Sequence, residues 1–372
     1  MKVLHLATHL NMGGISIYIL RLARQMAALG VETHVLSSGG TLTPQFQAAG
    51  IATHERNIRT KNEIHPKLYF QLNALARWVR ENKFEILHAH TRVTQVLAFW
   101  ISRMTGVPVV TTCHGFYKPR LGRRLLPAWG ERVIAISDLV GADLQKALKA
   151  EPARLRMIHN GVDPEELDAQ YARHSKASAA ASFGFGADSF VIGVIARLVQ
   201  DKGHEYLIQA MPQLQKNIPE LKLLIVGDGP YRAELEALAA KLLKPGTVIF
   251  TGSLDDIARP LAAMDIFVLP AVWREGFGLS IIEAMCCRKP AVVTNIWALK
   301  TLIKDGETGL LIEPRDCEAI TATLLRLYQN PGLRAQLGDA GRQEVLQSFT
   351  MKRMAEEVLA VYKELCPSPY IS

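Results

Sequence analysis

The sequence predicts an α/β protein of two doubly wound parallel-sheet domains facing a cleft. Three observations predict it. Short apolar runs alternate with amphipathic stretches along most of the 372 residues, the alternation pauses once after Asn160-Gly161-Val162-Asp163-Pro164, and it restarts in the same order near Phe190. The chain is long enough for two domains, each burying its own core.

In the first half, Lys2–Ala7 reads as a buried strand, and Asn11-Met12-Gly13-Gly14 leads into a helix over Ile15–Leu29 that stops at Gly30. Val31–Leu36 is the next strand. A helix at Lys67–Glu81, a strand at Phe84–Ala89, a helix at Thr94–Met104 and strands at Pro108–Cys113 and Arg132–Ile136 follow. A helix at Asp138–Leu148 and a strand near Leu155–His159 complete this half. The segment to about Asp188 is rich in Ala, Ser and Gly without a strand pattern, and the domain boundary is placed there, after Asp163.

The second half repeats the scheme. Strands are expected at Phe190–Ala196, Leu221–Val226, Thr247–Thr251, Ile266–Leu269, Ala291–Thr294 and Gly309–Ile312. Helices are expected at His204–Asn217, Tyr231–Leu243, Ile257–Met264, from Leu279, and near Cys317–Gln329, Gly332–Leu346 and Met351–Leu365. Both halves are thus Rossmann-like, and ligands in such sheets bind beyond the carboxyl ends of the strands.

Composition narrows the function. With 49% hydrophobic and 21% charged residues the chain has the balance of a soluble globular protein. No apolar run approaches the ~20 residues that span a bilayer, and Met1–Ala7 lacks a signal-peptide layout, so a cytoplasmic location is expected. The five cysteines (113, 286, 287, 317 and 366) are odd in number and lack Cys-x-x-Cys spacing, which argues for reduced, packed thiols.

The net charge of +8 is uneven: residues 1–163 carry 21 basic and 10 acidic side chains, whereas 164–372 carry 22 and 25. The first half therefore attracts anions such as phosphorylated sugars or membrane headgroups. Phe116-Tyr117-Lys118-Pro119-Arg120-Leu121-Gly122-Arg123-Arg124 suits an anionic acceptor or the inner face of a membrane, although a plain solvated loop explains it equally well. No nucleic-acid motif accompanies the charge, and no nucleic-acid partner is expected.

The chemistry centres on Arg274-Glu275-Gly276-Phe277-Gly278-Leu279-Ser280-Ile281-Ile282-Glu283-Ala284-Met285. A strand, a glycine-bearing loop and a helix opening near Leu279 make an anion site, because the first helical turn leaves N–H groups unpaired. Glu275 and Glu283 are poor phosphate ligands but good acceptors for sugar and ribose hydroxyls. A nucleotide sugar offers phosphate and hydroxyls together. The competing reading is a plain strand-to-helix connection whose acids cap the helix.

Arg197 and Lys202 follow the first strand of the second half, where a guanidinium and an ammonium suit a diphosphate. His114 ends a strand of the basic half and can hydrogen-bond a sugar hydroxyl or relay a proton. Its neighbour Cys113 reads as a packed thiol. Asp228, in Val226-Gly227-Asp228-Gly229-Pro230, reads as a helix cap rather than a ligand. Thr251–Asp256 could read a nucleobase edge. No Asp-x-Asp spacing occurs, so no essential metal and no cofactor are expected.

Together these features resemble the retaining GT-B glycosyltransferases of family 4. The resemblance rests on Gly13-Gly14, His114-Gly115, Ile136-Ser137, Asn160–Asp163, Arg197 with Lys202-Gly203, Val226–Pro230, Glu275 with Glu283, and Asp305-Gly306 with Gly309–Leu311. It implies a nucleotide-sugar donor, UDP- or GDP-linked, held by residues 164–351. It also implies a glycan or glycolipid acceptor held by 1–163 together with 352–372, as in cell-surface polysaccharide or lipopolysaccharide synthesis. By that resemblance Glu283 binds the ribose, Glu275 the donor sugar, and the backbone of Gly276, Phe277, Gly278 and Leu279 the sugar and phosphate. Arg197 and Lys202 then meet the diphosphate, His114 the sugar, and Gly14 closes over the phosphate. The departing phosphate would help to take the acceptor proton, so no separate base is required.

The sequence departs from the family pattern at Ser16, at Arg288 and at the loop Trp297-Ala298-Leu299-Lys300-Thr301, where a bulky Trp297 stands near the expected donor. Two other readings stay open: a catalytically silent nucleotide-sugar-binding scaffold, and a GT-B epimerase or phosphorylase.

Overall fold

Among the described residues thirteen strands form two sheets, and every pairing of neighbouring strands is parallel. In a computed structural model, which describes residues 1–117, 121–273 and 275–366, the first sheet holds β1 (Lys2–Leu6), β2 (Glu32–Ser37), β3 (Ala52–Glu55), β4 (Ile86–Ala89), β5 (Val109–Cys113), β6 (Arg132–Ala135) and β7 (Leu155–Met157). The second holds β8 (Phe190–Ile195), β9 (Leu221–Val226), β10 (Val248–Phe250), β11 (Ile266–Leu269), β12 (Ala291–Thr294) and β13 (Leu310–Ile312). Arg274 of the central stretch, Lys118, Pro119 and Arg120 of the basic run, and residues 367–372 lie outside the described residues.

The strand orders are β3-β2-β1-β4-β5-β6-β7 and β10-β9-β8-β11-β12-β13. Each chain half winds outward in one direction, returns to the centre and winds out in the other. The reversal points lie between β1 and β4 and between β8 and β11, where loops leave adjacent strand ends in opposite directions and open a crevice. Buried parallel strands explain the near-continuous apolar runs: β11 and β12 are buried at every residue.

The chain divides into two compact units, Met1–Asn160 with the chain from Met351 onward, and Gly161–Thr350. The last helix, Met351–Leu365, joins the first unit because it is amphipathic at helical spacing. Met351, Met354, Ala355, Val358, Val361 and Tyr362 are buried among Ile19, Leu22 and Met26 of the helix Gly14–Ala28. Glu364 fixes its end to the sheet, accepting from Arg132 on β6 and Arg156 on β7 at 2.6 Å each. The Arg156 hydrogen bond, then that of Arg132, holds the Glu364 carboxyl down to about 2.

Some expectations need correction. The helix expected over Lys67–Glu81 is two, Pro66–Phe70 and Leu72–Glu81, separated at Gln71, whose side-chain amide donates to the Lys67 and Asn57 carbonyls. The segment after Asp163, read from the sequence only as lacking a strand pattern, is largely helical. It carries helices Pro164–Tyr171 and Lys176–Ser182, started by the side chains of Asp163 and Ser175, which accept from the Glu166 and Ser178 N–H groups. Edge strand β3 and the short helix Thr43–Ala48 were not anticipated at all.

Candidate functional site

The second sheet positions its loops at the β8/β11 reversal. After β8 the chain makes a single turn, Gln200–Lys202, closed by Gly203 at φ 66°, and enters the helix His204–Gln215. Gly203 has a double reason to be glycine: its backbone is left-handed, and a Cβ there would overlap the Pro270 carbonyl oxygen beyond β11. The Val272 N–H donates to the Asp201 carbonyl at 2.9 Å and ties the two loops together. This approach brings Lys202 to Glu275. Their side chains form a salt bridge, with 19% and 14% of each exposed.

The Glu275 carboxylate also accepts from the Gly276 N–H at 3.0 Å. Gly278, at φ 94°, begins the helix Leu279–Cys286, and no side chain caps that end. The Ile281 N–H donates back to the Gly278 carbonyl at 3.0 Å, so the Leu279 and Ser280 N–H groups at the helix start are the ones without a side-chain cap. Phe277 is buried edge-on against Phe349, while Glu283 is buried on the helix one turn past Leu279. Arg197 is exposed at the end of β8, and Gly14 is exposed as the first residue of its helix. The second unit thus brings Lys202, Glu275 and the Gly278–Leu279 helix start together around one strand-end rim.

Asp228 does not cap the helix after it. Helix Arg232–Leu242 starts from Tyr231 without a side-chain cap, and Asp228 instead accepts from the Gly229 N–H at 2.7 Å within the turn. Gly227 and Gly229 lie so close to Ala196 and Leu198 that a Cβ on either would overlap a carbonyl oxygen, so this turn buttresses the Arg197 loop. Trp297 is 57% exposed, with the Lys300 ammonium 5.3 Å from its ring centroid. Leu299 and Leu302, from the same segment, pack toward Gly278.

The first unit holds His114 in a chain of imidazoles. His5 Nδ1 lies 2.8 Å from His90 Nε2, and His90 Nδ1 lies 3.1 Å from His114 Nε2. His88 lies tilted beside them, its ring centroid 4.2 Å from that of His90, and bonds the Tyr362 hydroxyl and Thr112 Oγ1. Desolvation pushes His5 and His114 down to about 3 and holds His88 and His90 well below the usual imidazole range, so all four are neutral. His5, His88 and His90 offer nitrogens within 4.8 Å of one another, close enough to surround an ion. Most of those nitrogens already serve hydrogen bonds, which account for the clustering without a metal.

Sequence reasoning singled out His114 without its imidazole neighbours. The available signal was His88-Ala-His90, two residues on one face of a strand, beside His5, which pairs with His88 in the sheet. Cys113 is fully buried and burial pushes its thiol up to about 12, as befits a packed rather than a nucleophilic cysteine. All five cysteines are free.

Comparison with known proteins follows the same lines. Residues 12–166 match the family described as Glycosyltransferase Family 4, and residues 175–344 match Glycosyl transferases group 1. The chain is 29% identical over 359 residues to EpsD of Bacillus subtilis (strain 168), covering 90% of this chain and 89% of that one. It is 28% identical over 309 residues to the UDP-Gal:alpha-D-GlcNAc-diphosphoundecaprenol alpha-1,3-galactosyltransferase of Escherichia coli, covering 79% of each. The fold is similar to that of Anabaena HepE in complex with UDP and glucose, with a TM-score of 0.82, 21% identity, and 97% of this chain and 99% of that chain covered. The two parallel sheets, the loops at their reversal points and both family matches place this chain among the GT-B glycosyltransferases of family 4.

Proposed function

We propose that this glycosyltransferase moves a hexose from a UDP- or GDP-linked donor to a hydroxyl of a glycan or glycolipid, with retention of configuration and without an essential metal. The observation that carries the reading is the Lys202–Glu275 ion pair at the β8/β11 reversal, beside the uncapped start of the helix Leu279–Cys286. The cation and the helix terminus match the diphosphate of a nucleotide sugar, and the acid matches its hydroxyls.

In this reading Arg197, Lys202 and the helix N–H groups hold the diphosphate, Glu275 the donor sugar and Glu283 the ribose. As the bond between the anomeric carbon and the phosphate oxygen breaks, negative charge gathers on the leaving diphosphate, where the cations and the helix dipole stabilise it. The acceptor hydroxyl adds on the same face and its proton passes to a departing phosphate oxygen. The first unit takes the acceptor, and His114 is assigned to the sugar. The E. coli relative, whose name specifies a UDP-linked sugar and a diphosphoundecaprenol acceptor, favours a UDP donor and a glycolipid.

A membrane surface fits the first unit's charge and the side chains of Leu121 and Leu125, which are 71% and 77% exposed on one short helix beside Arg124. Among the described residues no helix is long and apolar enough to cross a membrane. Binding to anionic vesicles that falls steeply with salt supports this part, and salt-independent or absent binding removes it.

The test of the donor site is thermal unfolding with UDP, GDP, ADP and CMP, each with and without magnesium. A ligand at ~100 times its dissociation constant adds about 2.7 kcal/mol to the folded state. A shift with UDP or GDP that is independent of metal supports the reading. A shift that appears only with magnesium, together with transfer abolished by chelator and restored by magnesium, overturns metal independence.

A further inference from the structure

The imidazole chain in the first unit has two ends, and the buried end decides what the other presents. His5 and His90 are fully buried, whereas His114 is only partly so. Each neutral ring carries one N–H, so the two hydrogen bonds must run in the same direction along the chain. His5 Nε2, the atom at the buried end, has no hydrogen-bond partner.

Were the donors to run from His114 Nε2 to His90 Nδ1 and from His90 Nε2 to His5 Nδ1, the His5 proton would sit on Nε2 as an orphaned buried donor. In the opposite direction His5 Nδ1–H donates to His90 Nε2, His90 Nδ1–H donates to His114 Nε2, and the orphan is only a lone pair. Buried N–H groups without partners are the rarer and costlier case. The second direction is therefore favoured, and it leaves the His114 proton on Nδ1. The Tyr18 ring, edge-on to His114 with centroids 4.7 Å apart, and His88, held by Tyr362 and Thr112, keep the rings in register.

We propose that His90 is a positioning residue, which with His5 behind it fixes His114 as the Nδ1–H tautomer and makes that nitrogen a hydrogen-bond donor. The inference deepens the proposed function and rests on its assignment of His114 to the donor sugar. It gives that residue a definite role: Nδ1–H can hold a sugar hydroxyl oxygen, but it cannot accept the acceptor's proton. The proton must then leave by the departing phosphate.

The first test reads the tautomer directly and needs no activity. The protein labelled with 15N-histidine, its 11 imidazoles recorded by long-range 15N–1H correlation, should show His114 with a protonated Nδ1 and a bare Nε2 at neutral pH; the His114→Gln variant assigns the signal. His90→Leu removes the donor and should yield mixed tautomers at His114. In His90→Asn the amide nitrogen stands where Nδ1 stood and should preserve the single tautomer. A His114 protonated on Nε2 in the unaltered protein overturns the proposal, as does an unchanged tautomer in His90→Leu with native circular dichroism.

The second test uses turnover. His90→Leu should lower kcat by roughly tenfold with little change in the donor KM, His90→Asn should recover most of it, and His90→Leu should have no further effect in a His114→Ala background. A kcat loss in that background as large as in the unaltered protein shows that His90 acts otherwise and overturns the proposal. If the tautomers behave as expected while His114→Ala leaves transfer untouched, the relay stands and the assignment of His114 to the sugar fails.

Discussion

Lys202 and Glu275, 73 positions apart in the chain, meet as an ion pair across the β8/β11 reversal. The sequence places each separately on one rim, the lysine for phosphate and the acid for hydroxyls. Their pairing adds that, before any donor arrives, each is the other's partner. In the proposed function a donor diphosphate draws the ammonium away, and this frees Glu275 for the sugar.

That exchange predicts different losses from the two ends. Glu275→Gln should lower transfer by about 100-fold or more while the free nucleoside diphosphate still shifts the melting temperature. Lys202→Ala should weaken the diphosphate shift itself. Kinetics and thermal shifts on both variants check this, and equal loss of diphosphate binding in the two would contradict the division of labour.

Gly203 offers a stability test of the loop that carries Lys202. Gly203→Ala adds a left-handed alanine and a clash with the Pro270 carbonyl, which together cost about 3 kcal/mol or more. Gly184→Ala in the same unit shares the positive φ, at 74°, but has open space around the new Cβ, so it should cost about 1 kcal/mol. Calorimetry of the two variants should show the first melting several degrees below the second.

Arg342 yields an asymmetric pair. Its guanidinium, 11% exposed, donates to Asp168 at 2.8 Å and to the Cys286 carbonyl, whereas the Asp168 side chain is 48% exposed. Removing the arginine releases an acid that water can solvate. Removing the acid strands a charge with little access to water. Asp168→Ala should therefore destabilise more than Arg342→Met, by about 1 kcal/mol; denaturant unfolding of both variants decides the order.

The architecture was legible because parallel strands buried on both faces read as apolar runs, as at Ile266–Leu269 and Ala291–Thr294, both found at their observed bounds. Edge strand Ala52–Glu55 was not, since its residues are at most partly buried and three of the four are polar. The helices after Asp163 were readable in principle: Asp163-Pro164 and Ser175 are start signals that the Ala- and Ser-rich composition obscured. Within the site, glycines and acids announced the helix start, and the His88-Ala-His90 spacing marked two of the imidazoles but not their meeting with His5. Gly203 against Pro270 is a tertiary meeting of which spacing along the chain carries no trace.

The buried histidines also set an acid limit on the first unit. His5, His88, His90 and His114 bind protons far less readily folded than unfolded, since burial lowers each below the ordinary 6.5. Below about pH 6.5 the unfolded chain takes up protons that the folded unit excludes, so stability present above that pH is lost as pH falls. Each such group contributes about 1.4 kcal/mol per pH unit once well below its unfolded value, and four acting together would consume an ordinary domain's stability near pH 5. Calorimetric scans between pH 7.5 and 5 should show the first unit's transition moving steeply downward. Proton uptake on unfolding should exceed two per molecule by about pH 5.5. An uptake below one would mean that these imidazoles are protonated in the folded protein, and the neutral hydrogen-bonded chain through His90 would then be excluded.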